Sequence, residues 1–319
     1  MIDMIVKLLL IMKIDLFKVA WGVRDGEHRA VKTKILMMML CIGLGGCGKN
    51  DAPTNDSDSG SKIQTGETKT CYWCKEFVKA AALICKHCGK DPSAQKNNDR
   101  PVKELSLEEK ISLLNDLIDA GINPSLLMPG TGCCSLTETV QLTSHAVKLG
   151  CKGTLMLPPF FYKDISDDGL LRSYAETIER VGNSALKIYL YHIPPVSGVS
   201  ISLDLIERLI IRYPNAIVGV KDSSGNWNNT QSILERQWDD FRVFAGSERF
   251  LLQTMRAGGT GCISATANIN PNAIYNLYKE WKSDRADNLQ EQLNQVRTVL
   301  ESYPMIPALK SVISYYSNH

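Results

Sequence analysis

An α/β fold built from buried parallel strands under a layer of helices is what this sequence predicts, on three observations. Six apolar runs of strand length follow Leu105, namely SLLMPG, GTLMLPP, KIYLYHI, AIVGVKD, FRVFAG and GCISATA, and each is succeeded by a helical pattern. None alternates cleanly between apolar and polar residues, which fits strands covered on both faces, as in a barrel. Ser106 with Glu109, and Ser135 with Glu138, have the spacing of capping boxes and open amphipathic stretches that end near Gly121 and Gly150. A barrel of this kind closes on eight strands, so six recognisable βα units predict an incomplete (β/α)8, TIM-type barrel over residues 105–319, ending in C-terminal helices.

Composition allows such a domain and excludes some partners. With 319 residues, 44 % of them hydrophobic, the chain can bury a sizeable core. Its 36 basic and 34 acidic residues leave a formal charge of +2, which gives no global attraction to nucleic acid or to an anionic membrane. Nucleic acid is therefore not an expected partner, and function has to be sought in local sites.

Residues 1–104 have a different texture. Residues 1–33 contain MIVKLLLIM, a run too short to cross a bilayer, and form an unassigned leader. In residues 34–50 an apolar stretch follows Lys32 and Lys34 and closes on Leu44-Gly45-Gly46-Cys47, which resembles the lipobox of bacterial lipoprotein signals; Cys47 would then carry the lipid. A buried or incidental apolar segment reads the same way. Residues 51–68 and 93–104 are polar and turn-forming, with too few apolar side chains to offset the entropy of ordering, and read as linkers.

Between the linkers, residues 69–92 carry Cys71, Cys74, Cys85 and Cys88 as C-x2-C-x10-C-x2-C, a spacing at which two knuckles present four thiolates tetrahedrally to Zn²⁺. The segment resembles small bacterial zinc ribbons, so a closed, structural, catalytically inert Zn²⁺ is expected, with His87 beside the ligands. Metal would supply the folding energy of a piece with almost no core. Disulfides are the competing reading if the chain is exported. Cys133, Cys134, Cys151 and Cys262, in apolar or glycine-rich surroundings, read as small core residues.

Chemistry is expected where strand ends carry charge, because a (β/α)8 barrel delivers its last strand residues to the catalytic rim. NAIVGVKDSSG places Lys221 at such an end, behind Val218 and Val220. Desolvation there disfavours the ammonium form and leaves neutral amine able to attack a ketone and form an imine. On position alone, a lysine can instead lay its stem on the sheet and keep its charge in water. At the end of the preceding run Tyr191 offers a phenol that could relay a proton, although an ordinary core tyrosine would look the same.

Five motifs then stand in order between Leu105 and Tyr316: PGTG, YHIPPVSGV, GVKDSSGN, AGSE and GGTGCISATANINP. Together they resemble the dihydrodipicolinate synthase and N-acetylneuraminate lyase family of class I aldolases. The resemblance implies a barrel that binds pyruvate or a similar 2-oxo acid as an imine, with no metal or organic cofactor in the chemistry. It implies imine formation by Lys221, proton relay by Tyr191, and a 2-oxo-acid pocket lined by Gly246 and Ile263. Tyr162 in PPFFYKD, or its neighbour Phe161, would reach a neighbouring subunit's site in a homo-oligomer. Val196 stands where the synthases of the family carry an arginine, so IPPVSGV looks like the lyase branch. The family's first two βα units, including a Gly-Thr-Thr motif that holds the substrate carboxylate, have no counterpart in residues 1–104.

The expected function is thus a lyase that forms or cleaves a carbon–carbon bond of a 2-oxo acid through a Lys221 imine. The missing wall keeps two other readings open: a catalytically inactive, lipid-anchored binding protein, and a fusion or truncation relic of an aldolase. Localisation divides accordingly, cytoplasmic if the signal-like segment is unused and membrane-anchored if it is used.

Overall fold

The computed structural model describes residues 105–317 together with two short strands, β1 (Thr68–Thr70) and β2 (Phe77–Lys79), which pair antiparallel with Thr70 opposite Phe77. Cys47 of the signal-like segment and Cys71, Cys74, Cys85 and Cys88 of the expected zinc ribbon lie outside the described residues.

Strands β3 (Thr154–Met156), β4 (Ile188–His192), β5 (Ile217–Asp222), β6 (Arg242–Ala245) and β7 (Gly261–Cys262) form one parallel sheet whose spatial order is the chain order. Helices α1 (Leu107–Asp119) and α2 (Leu136–Lys148) precede it. The crossovers are α3 (Asp167–Val181), the short α4 (Pro194–Ser197) with α5 (Leu203–Arg212), α6 (Trp227–Leu234) and α7 (Leu251–Arg256). After β7 come α8 (Pro271–Glu280), α9 (Ala286–Glu301) and α10 (Met305–Ser317). Parallel strands in chain order with a helix at every step are an arc of a (β/α)8 barrel rather than a doubly wound sheet, which would reverse order.

The first expected strand is corrected. Part of SLLMPG is taken up by a 3₁₀ turn at Pro124–Leu126, and only Gly130 forms a bridge, to Leu155. The run still lies along β3: Lys152 N–H donates to the Leu127 carbonyl at 2.9 Å, Leu155 N–H to that of Pro129 at 2.9 Å, and Thr131 N–H to that of Leu155 at 3.0 Å. Pro129 has no N–H to return, so the ladder does not lengthen into a strand. Five strands and one bridge therefore stand where six strands were expected. The capping box of α1 is complete, with Ser106 Oγ accepting from Glu109 N–H and Glu109 Oε2 from Ser106 N–H. For α2 the forward half is present, from Glu138 N–H to Ser135 Oγ at 3.3 Å.

Two apolar layers hold the sheet. On its helix side Ile188, Leu190, Ile217 and Val220 pack with Leu205, Ile206 and Leu209 of α5, all essentially inaccessible. Each such aliphatic side chain contributes about 1.5–3 kcal/mol by leaving water. On the other face Leu155, Tyr189, Tyr191 and Phe244 form a smaller cluster, with Met128, Val218 and Ile263 against it. This inner face is the one on which Lys221, Tyr191 and Ile263 meet. No helix among the described residues is long and apolar enough to cross a membrane.

Candidate active site

A one-residue irregularity in β5 decides which way Lys221 points. Ile188 of β4 pairs with Ile217, but the next residue, Tyr189, pairs with Gly219, so Val218 is an extra residue in the ladder. Ile217 belongs to the helix-side cluster, and strict alternation from it would send residue 221 to the helices as well. The bulge resets the phase: Gly219 and Lys221 face inward with Tyr189 and Tyr191, while Val220 and Asp222 face outward. Val220, expected to flank the amine, therefore packs on the opposite face from it. A Cβ on Gly219 would sit 2.7 Å from Tyr189 Cδ1, so the Tyr189 ring occupies the space that a side chain would need.

Lys221 then lies between Tyr191 on β4 and Phe244 on β6, its register partners. It is 5 % exposed, Tyr191 is 3 % exposed, and Lys221 Nζ lies 4.1 Å from the centre of the Tyr191 ring. The ring face supplies a favourable electrostatic contact to the ammonium form in place of water, worth about 0.5–2 kcal/mol. The structure thus brings together the two residues that the sequence singled out for imine chemistry. An ammonium that snorkels into water, the alternative reading of this lysine, does not describe it.

Behind this pair stands a second, outward-facing pair, His192 and Asp222, again register partners. His192 Nδ1 accepts the N–H of Ile201 at 3.0 Å, and burial holds its imidazole below the ordinary histidine range although Asp222 pulls the other way. Asp222 accepts from Thr230 Oγ1 at 2.6 Å, from Ser224 N–H at 3.0 Å and from Ser224 Oγ at 3.1 Å. Sequence reasoning missed both residues. The cue available was the Asp-Ser-Ser-Gly string, whose short polar side chains bond to nearby backbone and make turns.

Gly246 and Ile263 follow the ends of β6 and β7 and are half-buried. Their amides are engaged in the sheet: Gly246 N–H donates to the Asp222 carbonyl at 2.6 Å and Ile263 N–H to that of Ala245 at 2.8 Å. Neither is available to hold a carboxylate, so these residues can supply space and apolar wall. The loops they open are tied to α9 through Glu248, a carboxylate only 1 % exposed. Glu248 accepts from Ser264 Oγ and from Arg297 Nη1 at 3.2 Å, and its carbonyl accepts from Gln290 Nε2 at 3.0 Å. Cys262, packed on the helix side with Ala245 and Leu251, has its thiol pushed up, first by burial and then by Glu248, against an opposing pull from Lys221.

Tyr162 is not part of this arrangement. Its ring is 75 % exposed and makes an edge contact at 5.1 Å with Phe161, itself 73 % exposed. A separate cavity on the helix side of β3 is lined by Cys133, Cys134, Met156 and Tyr174, and no expected site residue borders it. Among the described residues no group of three or more His, Cys, Asp or Glu side chains is placed to hold a metal ion.

Comparison with known proteins places the fold in a family. The model of the dihydrodipicolinate synthetase family matches residues 102–317. A DapA-like lyase of Chloroflexus aurantiacus, itself uncharacterised, is 30 % identical over 217 residues, covering 67 % of this chain and 71 % of that protein. Dihydrodipicolinate synthase from Agrobacterium tumefaciens superposes with a TM-score of 0.61 at 30 % identity, over 66 % of this chain and 71 % of that one. YagE from Escherichia coli K12, a prophage protein of the dihydrodipicolinic acid synthase family solved in complex with pyruvate, gives 0.59 at 25 % identity, over 66 % and 71 %. With a matched family model across most of its length and an incomplete barrel carrying the lysine and tyrosine on adjacent strands, the chain belongs to the dihydrodipicolinate synthetase family.

Proposed function

We propose that this chain is a class I lyase that makes or breaks a carbon–carbon bond of pyruvate or a related 2-oxo acid. The observation that carries the reading is the Lys221–Tyr191 pair, buried side by side on neighbouring strand ends with Nζ 4.1 Å from the ring centre. The neutral Lys221 amine adds to the ketone carbon, the carbinolamine loses its oxygen as water, and the imine remains. Proton loss from the adjacent carbon gives an enamine that adds to an aldehyde, and the reverse sequence cleaves the product. Tyr191 carries protons to and from the departing oxygen. Metal and organic cofactor have no role in these steps. Val196 in place of an arginine favours a substrate partner without a carboxylate at that position.

The exposed Phe161–Tyr162 edge is suited to enter a neighbouring copy of the chain, in keeping with a homo-oligomer. Exchange of the pyruvate methyl protons in deuterium oxide, followed by NMR, tests the lyase reading. Wild type should catalyse exchange, Lys221→Arg should abolish it, and Tyr191→Phe should slow it about 10²–10⁴-fold. Exchange that survives unchanged in Lys221→Arg contradicts the assignment.

A second element of the reading concerns Cys71, Cys74, Cys85 and Cys88, proposed to hold one structural Zn²⁺. The pairing of β1 with β2 supports it, because the paired Thr70 and Phe77 are the residues that flank the Cys71–Cys74 knuckle in the sequence. Metal analysis of the purified chain, alone and with the four cysteines replaced by serine, tests that element independently of the lyase.

A further inference from the structure

We propose that Asp222 is a positioning residue that holds Lys221 in register with Tyr191 and Gly246 for imine formation; the inference rests on the lyase reading above. Asp222 is 3 % exposed and turned away from the reacting face, and among the described residues it has no ion-pair partner. An unpaired carboxylate out of water is costly unless its lone pairs are taken, and here they are. All three contacts are donors to it: the Ser224 amide, the Ser224 hydroxyl and the Thr230 hydroxyl, with Thr230 1 % exposed on α6. An amide of the same shape would keep the Ser224 N–H bond through Oδ1 but would force both hydroxyls to accept instead of donate, which takes from the buried Thr230 hydroxyl proton the acceptor it has here.

The backbone around Asp222 joins the three strands that the chemistry uses. The Asp222 carbonyl accepts from Gly246 N–H on the β6 side at 2.6 Å, and the N–H of Ser223 donates to the His192 carbonyl on the β4 side at 2.7 Å. A Cβ on Gly246 would fall 2.7 Å from Ser223 Cα, so residue 223 is wedged against β6 as well. By tying this turn to buried Thr230 of α6, the carboxylate fixes the backbone that follows Lys221 from behind. His192, the other titratable group facing it from the neighbouring strand, has Nδ1 occupied as an acceptor from Ile201, so its proton sits on Nε2. Misplacing a reacting group by about 1 Å can slow a reaction about 100-fold, so a loosened turn should register in rate before it registers in stability.

The test uses the full chain and its single-turnover reaction with pyruvate, following borohydride-trapped adduct on Lys221 by peptide mass across a range of pyruvate concentrations. Asp222→Asn should lower the maximal rate of adduct formation about 10- to 100-fold while the half-saturating concentration moves less than about threefold. Thr230→Val, which removes one donor without adding bulk, should lower the rate by a smaller factor in the same pattern and serves if Asp222→Asn does not fold. Asp222→Asn reacting at the wild-type rate overturns the proposal alone. A maximal rate that falls only in proportion to the folded fraction, read by circular dichroism, also overturns it. A wild-type chain that forms no adduct overturns the lyase reading and this inference with it.

Discussion

Gly246→Ala isolates the close approach on which the geometry of the strand ends depends. The added Cβ would lie 2.0 Å from Ser223 Oγ, 2.7 Å from Ser223 Cβ and 2.7 Å from Ser223 Cα. Rotation of the serine relieves the first clash. The other two involve atoms fixed by the backbone, which is itself held by the Gly246 N–H to Asp222 carbonyl bond of 2.6 Å. The strand ends must therefore separate by several tenths of an ångström, an overpacking change that costs about 2–3 kcal/mol. For a folded unit of this size that is a fall in Tm of about 4–12 °C, measurable by scanning calorimetry or circular dichroism. Ser223→Ala in the same chain should recover less than about 1 kcal/mol, because the clash with the backbone of residue 223 persists. Gly258→Ala is the control, since nothing lies within 4 Å of its Cβ and only its φ of +86° is strained, a cost of about 1–2 kcal/mol. A Gly246→Ala chain melting within about 1 °C of wild type, or full recovery by Ser223→Ala, would show that the backbone of residue 223 does not crowd Gly246.

Two further expectations concern buried charge. His192 titrates below its unfolded value of 6.5 because burial disfavours the imidazolium, so the unfolded chain takes up the proton first as pH falls. The stability it protects is complete above pH 6.5 and is lost as pH drops through that value; His192→Asn, which keeps an acceptor for Ile201 N–H, should flatten that part of the profile in urea titrations. Arg297→Ala leaves Glu248 buried beside Ser264 without its cation and should lower stability by about 3–5 kcal/mol, with Arg297→Ala/Glu248→Gln recovering part of the loss. Equal stability of Arg297→Ala and wild type in urea would contradict the network described.

Much of this architecture was legible in the sequence, and the exceptions have physical causes. Helix starts could be read because a cap is local: Ser106 and Glu109 bond across three residues. The strand runs could be read because both faces are buried, and Lys221 and Tyr191 because each closes such a run. The bulge at Val218 could not, since IVGVKD looks like an uninterrupted strand and the crowding of Gly219, by the Arg242 carbonyl and the Tyr189 ring, comes from the two adjacent strands. Glu248 and Arg297 meet across 49 residues, a separation at which no local pattern announces their pairing. The exposure of Tyr162 is likewise a property of how its loop leaves the sheet. The shortened first strand follows from Pro124 and Pro129, which bound the apolar residues that read as a strand and cannot donate to a ladder.

Reduction of the full chain with borohydride in the presence of pyruvate, followed by peptide mass mapping, shows whether Lys221 forms an imine. A reduced pyruvate adduct should be confined to Lys221 and absent from Lys221→Arg. A folded chain with no adduct, or one whose label spreads over exposed lysines such as Lys282 while Lys221 stays unmodified, would contradict it.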